Sequence, residues 1–159
     1  MRPAARSHTG LRVAAIILRE QSVALIERRC GGNLYYLFPG GAVEEGEALE
    51  RAVVREAHEE LGLITIVDRL VAEVSYMGNI QYYFLAHFIG GVFGTGTGAE
   101  ILGLGPPENG TYTPVWMPAG DLLQKPVYPR AVAELIALSI DEWWPAAPLK
   151  SLDPGMEAC

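Results

Sequence analysis

Gly41-Ala-Val-Glu-Glu-Gly-Glu47-Ala-Leu-Glu-Arg-Ala-Val-Val-Arg55-Glu56-Ala-His-Glu59-Glu60-Leu-Gly62-Leu63 joins a glycine turn to a segment with helical periodicity and three carboxylates on one side. At 3.6 residues per turn, Glu56, Glu59 and Glu60 fall within roughly a 100° arc, and Leu49, Ala52 and Val53 lie on that side one or two turns earlier. The acidic cluster therefore prolongs an apolar stripe. A solvated face would set its carboxylates opposite the stripe and follow them with Lys or Arg at i+4, and none follows here. Arg51 and Arg55, at i+4 and i+8 from Glu47, are expected to project away from the cluster and pair with Glu47.

Three carboxylates on a partly buried face cannot all ionise cheaply without a compensating charge. A divalent cation supplies that charge. With oxygen donors only, the cluster selects a hard ion, Mg²⁺ or Mn²⁺, rather than zinc. His58 points to the opposite side of the helix and is expected to be a surface or packing residue rather than a ligand.

The segment resembles the Nudix box: a glycine, five residues, a glutamate, seven residues, then Arg-Glu-apolar-x-Glu-Glu-x-Gly-apolar. Gly41, Glu47, the Arg55-Glu56 pair, the Glu59-Glu60 pair and Gly62-Leu63 meet its defined positions, and Ala57 stands where a larger aliphatic residue is usual. Tyr36-Leu-Phe-Pro-Gly-Gly41 is similar to the family's lead-in. The resemblance implies an α/β/α sandwich with a mixed β-sheet over about residues 11 to 141. It also implies a hydrolase that cleaves the diphosphate linkage of a nucleoside diphosphate derivative by water attack at phosphorus. Glu56 and Glu60 are the expected metal ligands, with Glu59 as the next ligand or the general base. Gly40 and Gly41 are expected to place metal or phosphate, and Glu47 and Arg55 to support the loop. In such proteins a glutamate outside the box often completes the site, and Glu100 and Glu108 are the two candidates, Glu108 being taken first. The alternative in another class is a non-catalytic nucleotide-sensing module on the same fold.

Composition sets limits around that motif. The 159 residues, half of them apolar, suit one domain with a sizeable core and a Pro-containing tail from 142 to 159. A net charge of -7 argues against a nucleic acid polymer as partner, while a small nucleotide can still bind through a metal ion. Cys30 and Cys159 imply no disulfide framework, and no apolar run of about 18 residues or signal segment is evident, so a soluble cytoplasmic protein without membrane contact is expected.

Aliphatic and aromatic runs predict strands over 13–18, 23–27, 34–38, 64–76, 80–89 and 112–117, with Met77-Gly78-Asn79 as a turn. The box helix is expected over Ala48 to Leu61, closed by Gly62, and a second amphipathic helix over Pro129 to Ile140. Gly90 to Gly110 holds eight glycines but no Gly-Lys-Ser/Thr, which excludes a P-loop and leaves a mobile surface loop. Arg12, Arg28 and Arg29 are candidates to bind phosphate or to sit on an exposed strand face, the exposed face being taken first, and Tyr82 and Tyr83 are expected as strand residues on alternating faces. Tyr128 and Arg130 are candidates for a base contact. Trp143 and Trp144 are candidates for packing or for the contact of a homodimer. Gly78-Asn79 occupies the region where related ADP-ribose hydrolases often carry a proline, which counts against that substrate.

Overall fold

Aliphatic and β-branched runs form long strands in the computed structural model, which describes residues 8–76 and 78–153. The elements in chain order are β1 (His8–Arg19), β2 (Ser22–Cys30), β3 (Asn33–Leu37), β4 (Gly40–Glu44), α1 (Leu49–Leu61), β5 (Leu63–Tyr76), β6 (Asn79–Gly91), β7 (Thr111–Pro118), β8 (Val127–Tyr128), α2 (Arg130–Ser139) and β9 (Leu149–Asp153). The β1–β2 hairpin turns at Glu20, whose φ of 54° lies in the left-handed region that tight hairpins require.

Beyond that turn the two strands pair at Leu18↔Val23 and Arg19↔Ser22 and then take other partners. β1 runs parallel to β6 and antiparallel to β4. β2 runs antiparallel to both β3 and β7. β5 joins β6 antiparallel and β9 parallel, and β8 lies parallel to β3. The parting of β1 from β2 opens a cleft between two groups of strands.

One core, containing Val53, Ala57 and Leu61, lies under α1. The other, containing Val132, Leu135 and Ile136, lies under α2. Helices on both faces of a mixed sheet make the expected α/β/α sandwich. Three strands escape the sequence pattern. β4 carries Gly40 and Gly41 and reads as a turn, while β8 is two residues long and β9 lies in the Pro-containing tail. Pairing with a neighbouring strand, rather than local propensity, makes each of them extended.

Several expectations need correction. Arg28 is not on an exposed face but is buried, and it shares its side of β2 with Ala24 and Ile26. Cys30 is disulfide-bonded, where the sequence implied no disulfide framework. The tryptophan pair needs no correction: Trp144 packs on the α2 core, one of the two expected roles, and Trp143 is exposed. Arg130 makes a structural clasp: Nη1 donates to the carbonyls of Leu122, Lys125 and Val127, and Nη2 to that of Leu123. Arg130→Ala removes all four bonds, and a stability loss on the order of 2 kcal/mol is expected. In a thermal melt that is a fall in Tm of about 4–8 °C; a Tm unchanged from the wild type would refute the clasp.

Candidate active site

Gly40 opens β4, and the strand enters the site by lying against β1 at Ala14↔Gly40 and Val13↔Gly41. A Cβ on Gly41 would stand 2.5 Å from Glu56 Oε1, so the bare backbone is what lets the carboxylate approach β4. α1 starts after Ala48, which offers no side-chain cap, and ends at Gly62 with φ 78° and its N–H bonded to the His58 carbonyl. Glu56 and Glu60 are buried on the inner face, Glu59 is half-buried, and His58 is exposed.

The glycine-rich segment after β6 is not a free loop. Gly94 N–H donates to the Leu61 carbonyl at 2.9 Å and Gly98 N–H to that of Glu59 at 2.8 Å, satisfying carbonyls that the end of α1 would otherwise leave open. A Cβ on Gly96 would lie 2.5 Å from the Glu59 carbonyl, so glycine is needed for this approach. The expectation of a mobile surface loop is therefore corrected. The clasp leads directly to Glu100, which lines the site.

Arg55 also departs from expectation, because its guanidinium reaches into the cluster instead of pointing away. Nε and Nη2 each donate to Glu47 at 2.8 Å, Nη2 donates to the Ala42 carbonyl at 3.0 Å, and Nη1 reaches Glu56 at 2.8 Å and Glu59 at 3.4 Å. Glu47 in turn accepts from Glu44 N–H at 3.2 Å, which ties the loop between β4 and α1 to the helix. Arg51 lies exposed at the surface.

Glu60 is the carboxylate left without a bonded cation among the described residues; its Oε2 accepts from Gly40 N–H at 3.2 Å. Burial pushes its pKa well above the ordinary glutamate range, and repulsion from Glu56 adds to the effect. Glu56 is also raised by burial, against the opposing pull of Arg55. Among the described residues no three His, Cys, Asp or Glu side chains are gathered closely enough to cage a cation. The donor chemistry nonetheless fits a hard divalent ion: oxygen ligands only, with a buried excess of negative charge.

Two cavities meet here. One, of about 330 Å³, is lined by Gly40, Gly41, Glu56, Glu59, Glu60 and Glu100. The second, of about 540 Å³, shares Arg12, Gly40, Glu60 and Glu100 with the first and runs on between the parted strands to Arg28, Tyr35 and Tyr112. Glu108 lines neither; it is exposed on a short 3₁₀ turn, and its carbonyl lies 3.1 Å from Cys30 Sγ. Tyr128 lines the larger cavity and Tyr83, buried, donates to Gln81 at 2.9 Å beside it. Tyr82 is partly buried on the α1 side. Arg12 is exposed at the junction, and Arg29 is exposed and paired with Glu27 at 3.0 Å. The sequence offered Arg28 as a phosphate binder but favoured the surface for it, and it did not single out Tyr35 or Tyr112 as cleft residues, although the two-residue alternation from Ala24 through Ile26 to Arg28 carried the signal of a buried face.

Known proteins resemble this chain in sequence and in fold. An RNA pyrophosphohydrolase of Teredinibacter turnerae is 29% identical over 145 residues, covering 77% of this chain and 82% of its own length. An ADP-ribose pyrophosphatase of Methanocaldococcus jannaschii is 35% identical over 102 residues, 58% of this chain, and the chain spans 59% of that protein. The crystal structure of a MutT NUDIX hydrolase from Burkholderia pseudomallei superimposes with a TM-score of 0.54 at 28% identity, over 77% of this chain and 93% of that one. Among the described residues no helix is long and apolar enough to cross a membrane. A profile of the NUDIX domain matches residues 8–138, a span that takes in the box, the glycine clasp, α1 and all of α2 but Ser139, and the chain thus belongs to the Nudix hydrolase family.

Proposed function

We propose that the chain is a divalent-metal-dependent pyrophosphohydrolase that cleaves the diphosphate linkage of a nucleoside diphosphate derivative by water attack at phosphorus. Nucleoside triphosphates, nucleotide sugars and dinucleoside polyphosphates are the substrate types considered. The observation that carries this assignment is the buried Glu60 carboxylate, with no cation bonded to it among the described residues, where two cavities meet. Glu56, Glu59 and Glu60 would hold Mg²⁺, with Mn²⁺ as a substitute. When bound, the ion neutralises phosphate charge and makes a water more acidic.

The remaining work falls to the chain itself. Arg55, fixed by Glu47 and the Ala42 carbonyl, holds Glu56 in place. Gly40 and Gly41 leave backbone bare, so phosphate oxygens can approach. Arg12, at the junction of the cavities, attracts the substrate's phosphate groups. Glu59 and Glu100 are the groups placed to take the proton of the attacking water.

Glu100 replaces Glu108 as the first candidate, because Glu108 lies outside both cavities. Glu100→Gln is expected to lower kcat by about 10²-fold or more, whereas Glu108→Gln should stay close to wild type. The opposite ranking would return the role to Glu108. A screen of nucleoside triphosphates, ADP-ribose, dinucleoside polyphosphates and 5′-triphosphorylated RNA with Mg²⁺ or Mn²⁺ tests the activity itself. Tight binding of one of these with turnover of none would instead support the nucleotide-sensing alternative.

A further inference from the structure

β2 lies between β3 and β7, and its register sets Arg28 directly opposite Tyr35 on one side and Tyr112 on the other. Directly opposed residues share a face, so Tyr35, Arg28 and Tyr112 form a row across three strands. The guanidinium carbon lies 3.6 Å from the Tyr112 ring centroid and 5.8 Å from that of Tyr35. Nη1 donates to the carbonyls of Asn109 at 2.7 Å and Thr111 at 3.1 Å, which holds the guanidinium in place.

Arg28 is only 6% exposed, yet among the described residues it has no carboxylate partner. Its Nε and Nη2 make no hydrogen bond among the described residues, and neither is among the buried polar atoms sealed without a partner. Arg28 lines the 540 Å³ cavity, so that cavity is where these N–H groups meet solvent or a ligand. A guanidinium has donors and no acceptor, so the ligand that completes it must bring acceptors.

The shape of the cavity narrows the choice. Its mouth at Gly40, Glu60, Glu100 and Arg12 is where the diphosphate is assigned. The depth beyond carries Ile26, Leu37, Phe38 and the tyrosine row, walls that suit a planar ring. One guanidinium can donate in bidentate fashion to O6 and N7 of guanine; adenine places an amino donor at the O6 position. We propose, building on the hydrolase assignment above, that the cavity takes a 6-oxopurine nucleotide and that Arg28 selects the base by donating to O6 and N7.

Isothermal titration of the wild-type protein with GMP, IMP and AMP in Mg²⁺ tests this. GMP and IMP share O6 and N7, so both should bind about tenfold or more tightly than AMP. In Arg28→Met, no donor is left for O6 or N7 and the GMP-to-AMP preference should collapse to within about threefold. Because the ratio is internal to each variant, a general loosening of β2 would weaken both ligands together and leave it unchanged. If Arg28→Met does not fold, the IMP result in the wild type decides alone. Equal binding of GMP and AMP, IMP grouping with AMP, a preference undiminished in folded Arg28→Met, or no binding of any of the three overturns the proposal. Monophosphate binding needs no hydrolysis: a protein that prefers GMP but hydrolyses nothing overturns only the hydrolase assignment, and one that hydrolyses without base preference overturns only the role of Arg28.

Discussion

Glu60→Gln is expected to abolish most turnover, by about 10²–10⁴-fold, while raising the melting temperature of the metal-free protein. The two effects have one cause. Glu60 is buried on α1, has Gly40 N–H as its hydrogen-bond donor, and lies one helical turn from Glu56, which repels it. Ionising it in the fold costs desolvation and repulsion, and glutamine keeps the shape and the acceptor without the charge. The sign of the pH dependence follows. The folded pKa lies well above 4.5 and the unfolded one close to it, so between the two the folded state binds more protons. The contribution to stability is full below the unfolded value and is lost as pH rises through the window up to the raised folded value. Metal-free wild type should therefore melt at lower temperature as pH rises above about 4.5, and Glu60→Gln should flatten that slope. Added Mg²⁺ should restore wild-type stability at neutral pH and do little for the variant. Glu59→Gln is the comparison for stability: its side chain is 35% exposed and lies 3.4 Å from Arg55, and its repulsion on Glu56 is a lesser cause than burial, so neutralising it should relieve much less than Glu60→Gln does. A metal-free pH slope unchanged in Glu60→Gln would remove the electrostatic account of the site.

Helical periodicity made α1 and its acidic face legible, because 3.6-residue spacing fixes which side chains share a face before any tertiary contact is known. It could not show where a long side chain bends. Arg55 sits at i+8 from Glu47 and pairs with it as expected, but its planar fork also serves Glu56 and Glu59, which needs the coordinates of β4 and the Ala42 carbonyl. The choice between the two loop glutamates was not legible in the sequence for a related reason. Glu100 and Glu108 lie in the same glycine-rich segment, and what separates them is the bonding of Gly94 and Gly98 to carbonyls at the end of α1. Long-range pairing of that kind leaves no local period. Arg28 is different: its place in alternation with Ala24 and Ile26 marked a buried face, and only the habit of placing arginine outside hid it.

Gly40→Ala should be strongly damaging for a single added methyl, and it acts on fold and site together. The added Cβ would collide with the Val13 carbonyl oxygen and stand 2.7 Å from Ala14 Cα and 2.9 Å from Val13 C. All three are backbone atoms of β1, which is held on its other side by β6 through register from Arg12 to Ile17. Neither strand can give way by a rotamer change, so β4 must lift from β1, taking with it the N–H that Glu60 accepts. A loss of about 3 kcal/mol or more is expected, a fall in Tm of about 6–12 °C, with activity lost as well. Gly41→Ala meets a different obstacle. Its Cβ would approach Glu56 Oε1 at 2.5 Å and the carboxylate carbon at 2.7 Å, atoms at the end of a side chain that can swing aside. That variant should fold with a smaller loss of Tm and still lose most turnover, because the displaced group is a proposed metal ligand. Comparing the two by thermal melt and by nucleotide hydrolysis separates the structural demand for glycine at the start of β4 from the chemical one. A Gly40→Ala protein melting within about 2 °C of wild type, a difference worth less than about 1 kcal/mol, would mean that β4 is not pinned against β1 as described.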